Sequence, residues 1–214
     1  MFQFEGGRYP FTKSFTLYII LINLAAFVLQ LFISGFTRLF ALTPAMAFSG
    51  YFYQFFTYMF MHGGLSHIFF NMFVFAIFGF PVERILGRNR FLVVYFLSGI
   101  GSSLLYIAFT GVSDIPLLGA SGAVFGILAA YAFKFPKNWI YIFGLFPMPA
   151  WLLIIFLMIE ETFLGLLGLQ PGVANFGHIG GIITGLLIMA LWRIREREKG
   201  SKEFGERDFE FIWE

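Results

Sequence analysis

Residues 15–33 read FTLYIILINLAAFVLQLFI, an apolar run without one charged side chain. A helix that crosses a bilayer needs about 20 mostly apolar residues, and this run has that length and character. Working outward, the same reading applies to residues 52–80, 91–109, 120–135, 150–166 and 173–194. The second is long enough to include a short interfacial turn, and the fourth is a little short. Pro147 and Pro149 interrupt residues 139–167, which puts the fifth span after them and leaves 138–148 at the interface. Residues 36–51 are aromatic and poor in charge, as expected of a half-submerged connection. The predicted architecture is an all-α membrane protein. Residues 15–194 form a six-transmembrane-helix bundle between a cytoplasmic N-terminus, 1–14, and a charged cytoplasmic tail, 195–214. The absence of an internal repeat argues against duplicated transporter folds.

Composition agrees. Of 214 residues, 59% are hydrophobic and 12% charged, against about a quarter charged in soluble domains. A net charge of +2 suggests no nucleic-acid partner. There is no cysteine, hence no disulfide, thiolate metal site or cysteine nucleophile. Residues 1–14, with Glu5, Arg8 and Lys13, have neither signal-peptide nor transit-peptide character, so the first span is expected to be retained. A prokaryotic plasma membrane suits that start. The tail is expected either to touch the membrane surface through Phe209, Phe211, Ile212 and Trp213 or to be disordered.

Orientation follows from the basic residues. With the N-terminus inside, all of the 14 Lys and Arg except Arg38 fall in cytoplasmic segments. A wrong helix count would scramble that alternation.

This topology assigns depth to the polar residues, which are costly in lipid and need a reason to be there. His62, His67 and Asn71 lie towards the outer end of the second span. Ser121 opens the fourth, and His178 lies in the outer part of the sixth. Three segments distant in sequence thus bring a serine, histidines and an asparagine to similar depth. A serine hydroxyl needs a base to become a nucleophile, and histidine is the suitable base at neutral pH. Unpaired N–H groups at the start of the fourth helix can stabilise an oxyanion. His67 and Asn71 share one helix face. Glu160 and Glu161 lie at the outer part of the fifth span and Asp114 in a loop, none obviously placed to orient His178. A Ser–His dyad is therefore expected.

Glycines supply close approach. Gly122 and Gly126 form one GxxxG pair, and Gly177, Gly181 and Gly185 form two more. Small residues let helices approach closely in lipid, so the sixth helix can press His178 towards Ser121. Each feature also has a bland reading. GxxxG is common in membrane helices, a helical serine bonds its own backbone, and a lone histidine often only packs. His62, off the His67 face, suits packing as well as chemistry. The histidines match no zinc spacing and HExxH is absent, so no metal or cofactor is expected. Glu83, Arg84 and Arg88 read as a cytoplasmic structural cluster.

Taken together, Gly119-Ala120-Ser121-Gly122 resembles the GxSG signature of rhomboid intramembrane serine proteases. The run from His62 to Asn71, HGGLSHIFFN, resembles that family's second-helix motif. His178-Ile179-Gly180-Gly181 with Gly185 resembles its sixth helix, and Val82 to Gly87, VERILG, the following loop. The resemblance covers roughly residues 15–195. It implies a cavity opening outward, Ser121 as nucleophile and His178 as general base. It implies an oxyanion held by His67, Asn71 and the backbone from Gly119 to the Ser121 N–H, with Phe125, Gly122, Gly181 and Gly185 in support. It implies transmembrane protein substrates, single-span or other, cut near the outer face of the lipid bilayer. The fifth helix, beside its prolines, is expected to be a moving wall for substrate entry.

Two places depart from the family. A Trp-Arg pair before the second helix is replaced by Tyr53-Gln54, so that loop is expected to be held differently. A tyrosine under the histidine is replaced by Phe125, keeping the stacking and losing the hydroxyl. The rival readings are an inactive rhomboid-like protein that binds transmembrane helices, and a small transporter.

Overall fold

The computed structural model describes residues 11–210 except 143 and 171, with side chains for 12–196 of these. A 3-10 turn at Phe11–Lys13 leads into α1 (Phe15–Phe32), capped by Ser14, whose hydroxyl accepts from Leu17 N. Two short helices, α2 (Phe36–Phe40) and α3 (Pro44–Phe48), and a further turn of helix, α4 (Gln54–Thr57), follow. Then come α5 (Leu65–Leu86), α6 (Arg88–Thr110) and α7 (Ser121–Lys134). A hairpin of β1 (Trp139–Ile142) and β2 (Phe146–Pro149) precedes α8 (Ala150–Leu167) and α9 (Asn175–Glu210).

Among the described residues, α1, α5, α6, α8 and the Asn175–Glu196 part of α9 are long and apolar enough to cross a membrane. The sixth apolar helix, α7, has 14 residues, which at 1.5 Å per residue is about 21 Å, short of a bilayer core. It lies inside the bundle, with Ala123, Ile127, Ala129 and Ala130 fully buried. The approach is made by small residues. A Cβ on Gly122 or Gly126 would overlap Ser102 or Ser98 of α6, and one on Gly181 or Gly185 would overlap the backbone of Gly122 or Gly126. The order of these pairs sets direction: α7 runs parallel to α9 and antiparallel to α6.

Three expectations change. The second span begins at Leu65, not at residue 52. The residues before it form α4 and a 3-10 turn at Tyr58–Phe60, and Gly64, in extended backbone, starts α5 afresh. The fold is not wholly α, because the stretch expected at the interface, 138–148, belongs to a hairpin over residues 139–149, with Trp139 opposite Pro149 and Ile142 opposite Phe146. Its β-branched and aromatic residues favour a pleated strand, and Gly144, at φ +72°, supplies the turn. The tail is not separate: α9 runs unbroken to Glu210. The contacts expected of Phe209, Phe211, Ile212 and Trp213 lie outside the described side chains, as does Arg8.

Of Glu83, Arg84 and Arg88, read as a structural cluster, Glu83 in the last turn of α5 and Arg88 at the start of α6 both reach the start of α1. Glu83 accepts from Ser14 Oγ, Phe15 N, Thr16 N and Thr16 Oγ1, closing the N-terminus of α1. Arg88 donates to the Lys13 carbonyl and stacks 5.5 Å over Phe15. Gln54, fully buried, fastens the connection between α1 and α5: its Oε1 accepts from Thr43 N at 3.1 Å and its Nε2 donates to Leu39 O at 3.1 Å. That is how the loop holds without a Trp-Arg pair.

Candidate functional site

Ser121 is the first residue of α7. The chain reaches it through a bridge, Leu42 N to Leu117 O at 2.9 Å and Leu117 N to Leu42 O at 2.8 Å. Gly119 then turns at φ +125°, donating its N–H to Tyr58 O at 3.0 Å. Positive φ suits glycine, and close approach requires it as well. A Cβ at Gly119 would lie 2.9 Å from both Cε1 and Nε2 of His67 and 3.7 Å from Ser121 Oγ. The edge of the His67 ring therefore faces the turn that presents the serine.

His178 comes from α9. Its Nε2 is 2.8 Å from Ser121 Oγ, and its ring stacks on Phe125 with centroids 4.5 Å apart and planes 14° apart. The glycine contacts between α7 and α9 make this reach possible. A hydroxyl hydrogen-bonded to an imidazole is the arrangement from which a base can take the proton. Both groups are half-buried.

Gly63 N lies 3.2 Å from His67 Nδ1 and donates to it. With Nδ1 accepting, a neutral ring carries its hydrogen on Nε2, and that N–H faces Gly119. Asn71 is buried one turn on, and its Nδ2 donates to His67 O at 3.0 Å. The amide has a second hydrogen to offer.

His62 stands apart, before α5. It is 2% exposed and edge-on to His67 at 5.1 Å. Its backbone is clamped from α1, with His62 N donating to Gln30 Oε1 at 2.9 Å and Gln30 Nε2 to His62 O at 3.0 Å. Burial, then the neighbouring His67, push its imidazole down to about 4, against a smaller opposing pull from Phe60 O. It is a neutral packing group at pH 7. Among the described residues no cluster of histidine and carboxylate has the makings of a metal site.

One partner was not anticipated. Glu161 Oε1 lies 2.8 Å from His178 Nδ1, so a carboxylate does reach the imidazole. Asn175 Nδ2 donates to Glu161 Oε2 at 2.6 Å and to Gln170 Oε1 at 3.0 Å. Depth alone did not say which way Glu161 points. The usable signal was its chemistry, since a carboxylate in an apolar helix turns inward to a partner, and α9 begins a short loop away.

Residues 49–195 match the family described as Rhomboid domain. The chain belongs to the rhomboid family. It is 35% identical over 157 residues to "RHOMBOID-like protein 6, mitochondrial" of Arabidopsis thaliana, covering 71% of this chain and 48% of that one. It is 34% identical over 136 residues to "Rhomboid-type serine protease 2" of Emericella nidulans, covering 64% and 26%. It is 36% identical over 125 residues to "Inactive RHOMBOID-like protein 8" of Arabidopsis thaliana, covering 58% and 33%. The chain thus spans from about a quarter to about half the length of these rhomboid relatives. They come from a plant and a fungus and lend nothing to the expectation of a prokaryotic plasma membrane. With its apolar helices, this rhomboid chain is an integral membrane protein.

Proposed function

We propose that this protein is an intramembrane serine endopeptidase that cuts transmembrane protein substrates, with Ser121 as nucleophile and His178 as general base. The observation that carries the reading is the 2.8 Å contact between Ser121 Oγ and His178 Nε2 at the start of α7. Oγ attacks the scissile carbonyl carbon while its proton passes to Nε2. The oxyanion that forms is met by the Ser121 N–H, the backbone at Gly119, His67 Nε2–H and the Asn71 amide. His178 then gives the proton to the leaving nitrogen as the peptide C–N bond breaks. Water, activated by the same imidazole, releases the acyl group and restores the serine. Phe125 supports the ring, and Gly122, Gly181 and Gly185 keep the helices close enough for the bond.

In this reading α7 completes a six-helix bundle with both ends of the domain in the cytoplasm, as the distribution of Lys and Arg suggests. Ser121 then lies towards the outer face. A peptide bond within a helix is shielded, so the substrate unwinds there before attack, and α8 is the wall that moves to admit it.

The test is incubation of purified protein with a single-span substrate, wild type beside Ser121→Ala. Cleavage should be lost in the variant by a factor on the order of 10⁴ or more, with folding kept. A serine-directed fluorophosphonate should label the wild type alone. The alternative, an inactive helix-binding rhomboid, is favoured by the likeness to a relative named inactive. A wild type that binds substrate yet neither cleaves nor labels would establish it.

A further inference from the structure

We infer that Glu161 is a positioning residue for the reaction: it holds His178 through Nδ1 so that Nε2 faces Ser121, assembling a triad from α7, α8 and α9. The inference rests on the reading of Ser121 and His178 given above and extends it by one residue.

Glu161 sits in an apolar helix with its side chain 8% exposed, and the His178 side chain is 12% exposed. A carboxylate there needs compensation. Among the described residues its ion-pair partner is His178, not a lysine or arginine. Both of its oxygens are engaged, Oε1 with His178 Nδ1 and Oε2 with Asn175 Nδ2.

The consequence concerns the tautomer. A neutral imidazole has one N–H, and an ionised carboxylate only accepts hydrogen bonds. Glu161 therefore takes Nδ1–H and leaves Nε2 with a lone pair towards the Ser121 hydroxyl. In the opposite tautomer Nε2 carries hydrogen and cannot take the serine proton. When Nε2 is protonated during the reaction, the imidazolium keeps its Nδ1–H on the carboxylate, which meets the new positive charge.

The carboxylate is itself held. Asn175 donates both to Glu161 and to Gln170, which fixes the orientation of its amide. Gly165, on α8, admits α9 at this level: a Cβ there would lie 3.1 Å from both Asn175 Cβ and Phe176 Cε2. Phe125 supports only the face of the imidazole. Rotation within the ring plane is governed by Glu161, so a displacement of α8 would release the base.

The experiment uses three full-length variants in detergent or liposomes, with kcat, KM, the rate of fluorophosphonate labelling and the unfolding midpoint measured for each. In Glu161→Gln, Asn175 still donates and claims the oxygen of the new amide. The amide's NH2 group then faces His178 Nδ1 and imposes the wrong tautomer. kcat and the labelling rate should fall together by about 10³–10⁴-fold, the loss typical of making a triad carboxylate an amide. KM and the unfolding midpoint should hardly move. In the double variant E161Q/N175D, the introduced carboxylate accepts the amide's N–H and turns its oxygen back to Nδ1–H. kcat should recover by about tenfold or more, since the tautomer is restored. A merely structural role predicts the reverse, with two buried changes worse than one.

Should E161Q fail to fold, Glu161→Asp keeps the charge but withdraws it from Nδ1 by one methylene, and its kcat should drop with KM retained. Wild-type kcat and labelling in E161Q or E161D, or a double variant no better than the single, overturns the inference while the protease reading stands. A wild type that neither cleaves nor labels overturns the protease reading itself.

Discussion

Gly181 lies against Gly122 so closely that a Cβ on Gly181 would overlap the Gly122 carbonyl oxygen. Neither side of this contact can yield by turning a side chain, because both are backbone. Gly181→Ala must push α7 and α9 apart, and overpacking of this kind costs about 1–3 kcal/mol. Activity should suffer more than stability, since the same separation stretches the Ser121–His178 bond, and a misplacement of about 1 Å costs on the order of 10²-fold. Gly64→Ala is the control: its backbone is extended and nothing lies within 4 Å of the added carbon. Thermal unfolding and cleavage by the two variants separate the effects.

His178→Ala and His67→Ala should differ in degree. Loss of His178, the proposed base, should approach the defect of Ser121→Ala, since residues acting as a unit fail together. Loss of one oxyanion donor costs about 10²–10³ in kcat, so His67→Ala and Asn71→Ala should retain measurable turnover with KM little changed. A His67→Ala variant at full activity would remove it from the oxyanion site.

Gln54 offers a test away from the chemistry. Gln54→Leu keeps the bulk and strips Thr43 N of its buried partner, while Leu39 O keeps the Tyr53 hydroxyl. An unsatisfied buried group costs about 1–3 kcal/mol. The unfolding midpoint should fall, and residues 39–43 should exchange amide hydrogen faster than in the wild type.

His62 predicts a dependence of stability on pH. Its folded value is about 4, against the 6.5 usual for histidine. Between those values the unfolded chain binds a proton that the folded chain does not. Stability should therefore be complete above about pH 6.5 and decline as the pH falls towards 4, by up to about 3 kcal/mol at one pKa unit per 1.36 kcal/mol. Unfolding curves at pH 7.5 and about pH 4.5, wild type beside His62→Leu, measure it. The slope should flatten in the variant.

Much of this was legible before the fold was known. Lipid leaves few ways to satisfy a backbone, so each long apolar segment declared a helix, and α6 and α8 fall within a few residues of their expected ends. The meeting of Ser121 with His178 followed from depth and glycine spacing. The start of α5 did not, because Phe52 to Phe60 is as apolar as a span. What breaks it is specific: Gln54 and Thr57 bond the backbone at residues 39, 40 and 43, and Gly63-Gly64 follows. Glu161 was seen at the right depth but not the right azimuth, since the rotation of α8 depends on Asn175 and Gly165 packing across from it.

The shortness of α7 has a bearing on lipid. Enclosed by α6 and α9 and too brief to span on its own, it takes its height from its neighbours and not from the thickness of the surrounding acyl chains. The flanking helices α1 and α8, little buried by the rest of the protein, are the parts that a thinner or thicker bilayer would tilt. Ser121 would keep its level in the scaffold, so under the proposed protease reading the cut in a substrate should register against the protein's own ruler, while acyl-chain length should alter how readily α8 keeps Glu161 on its histidine.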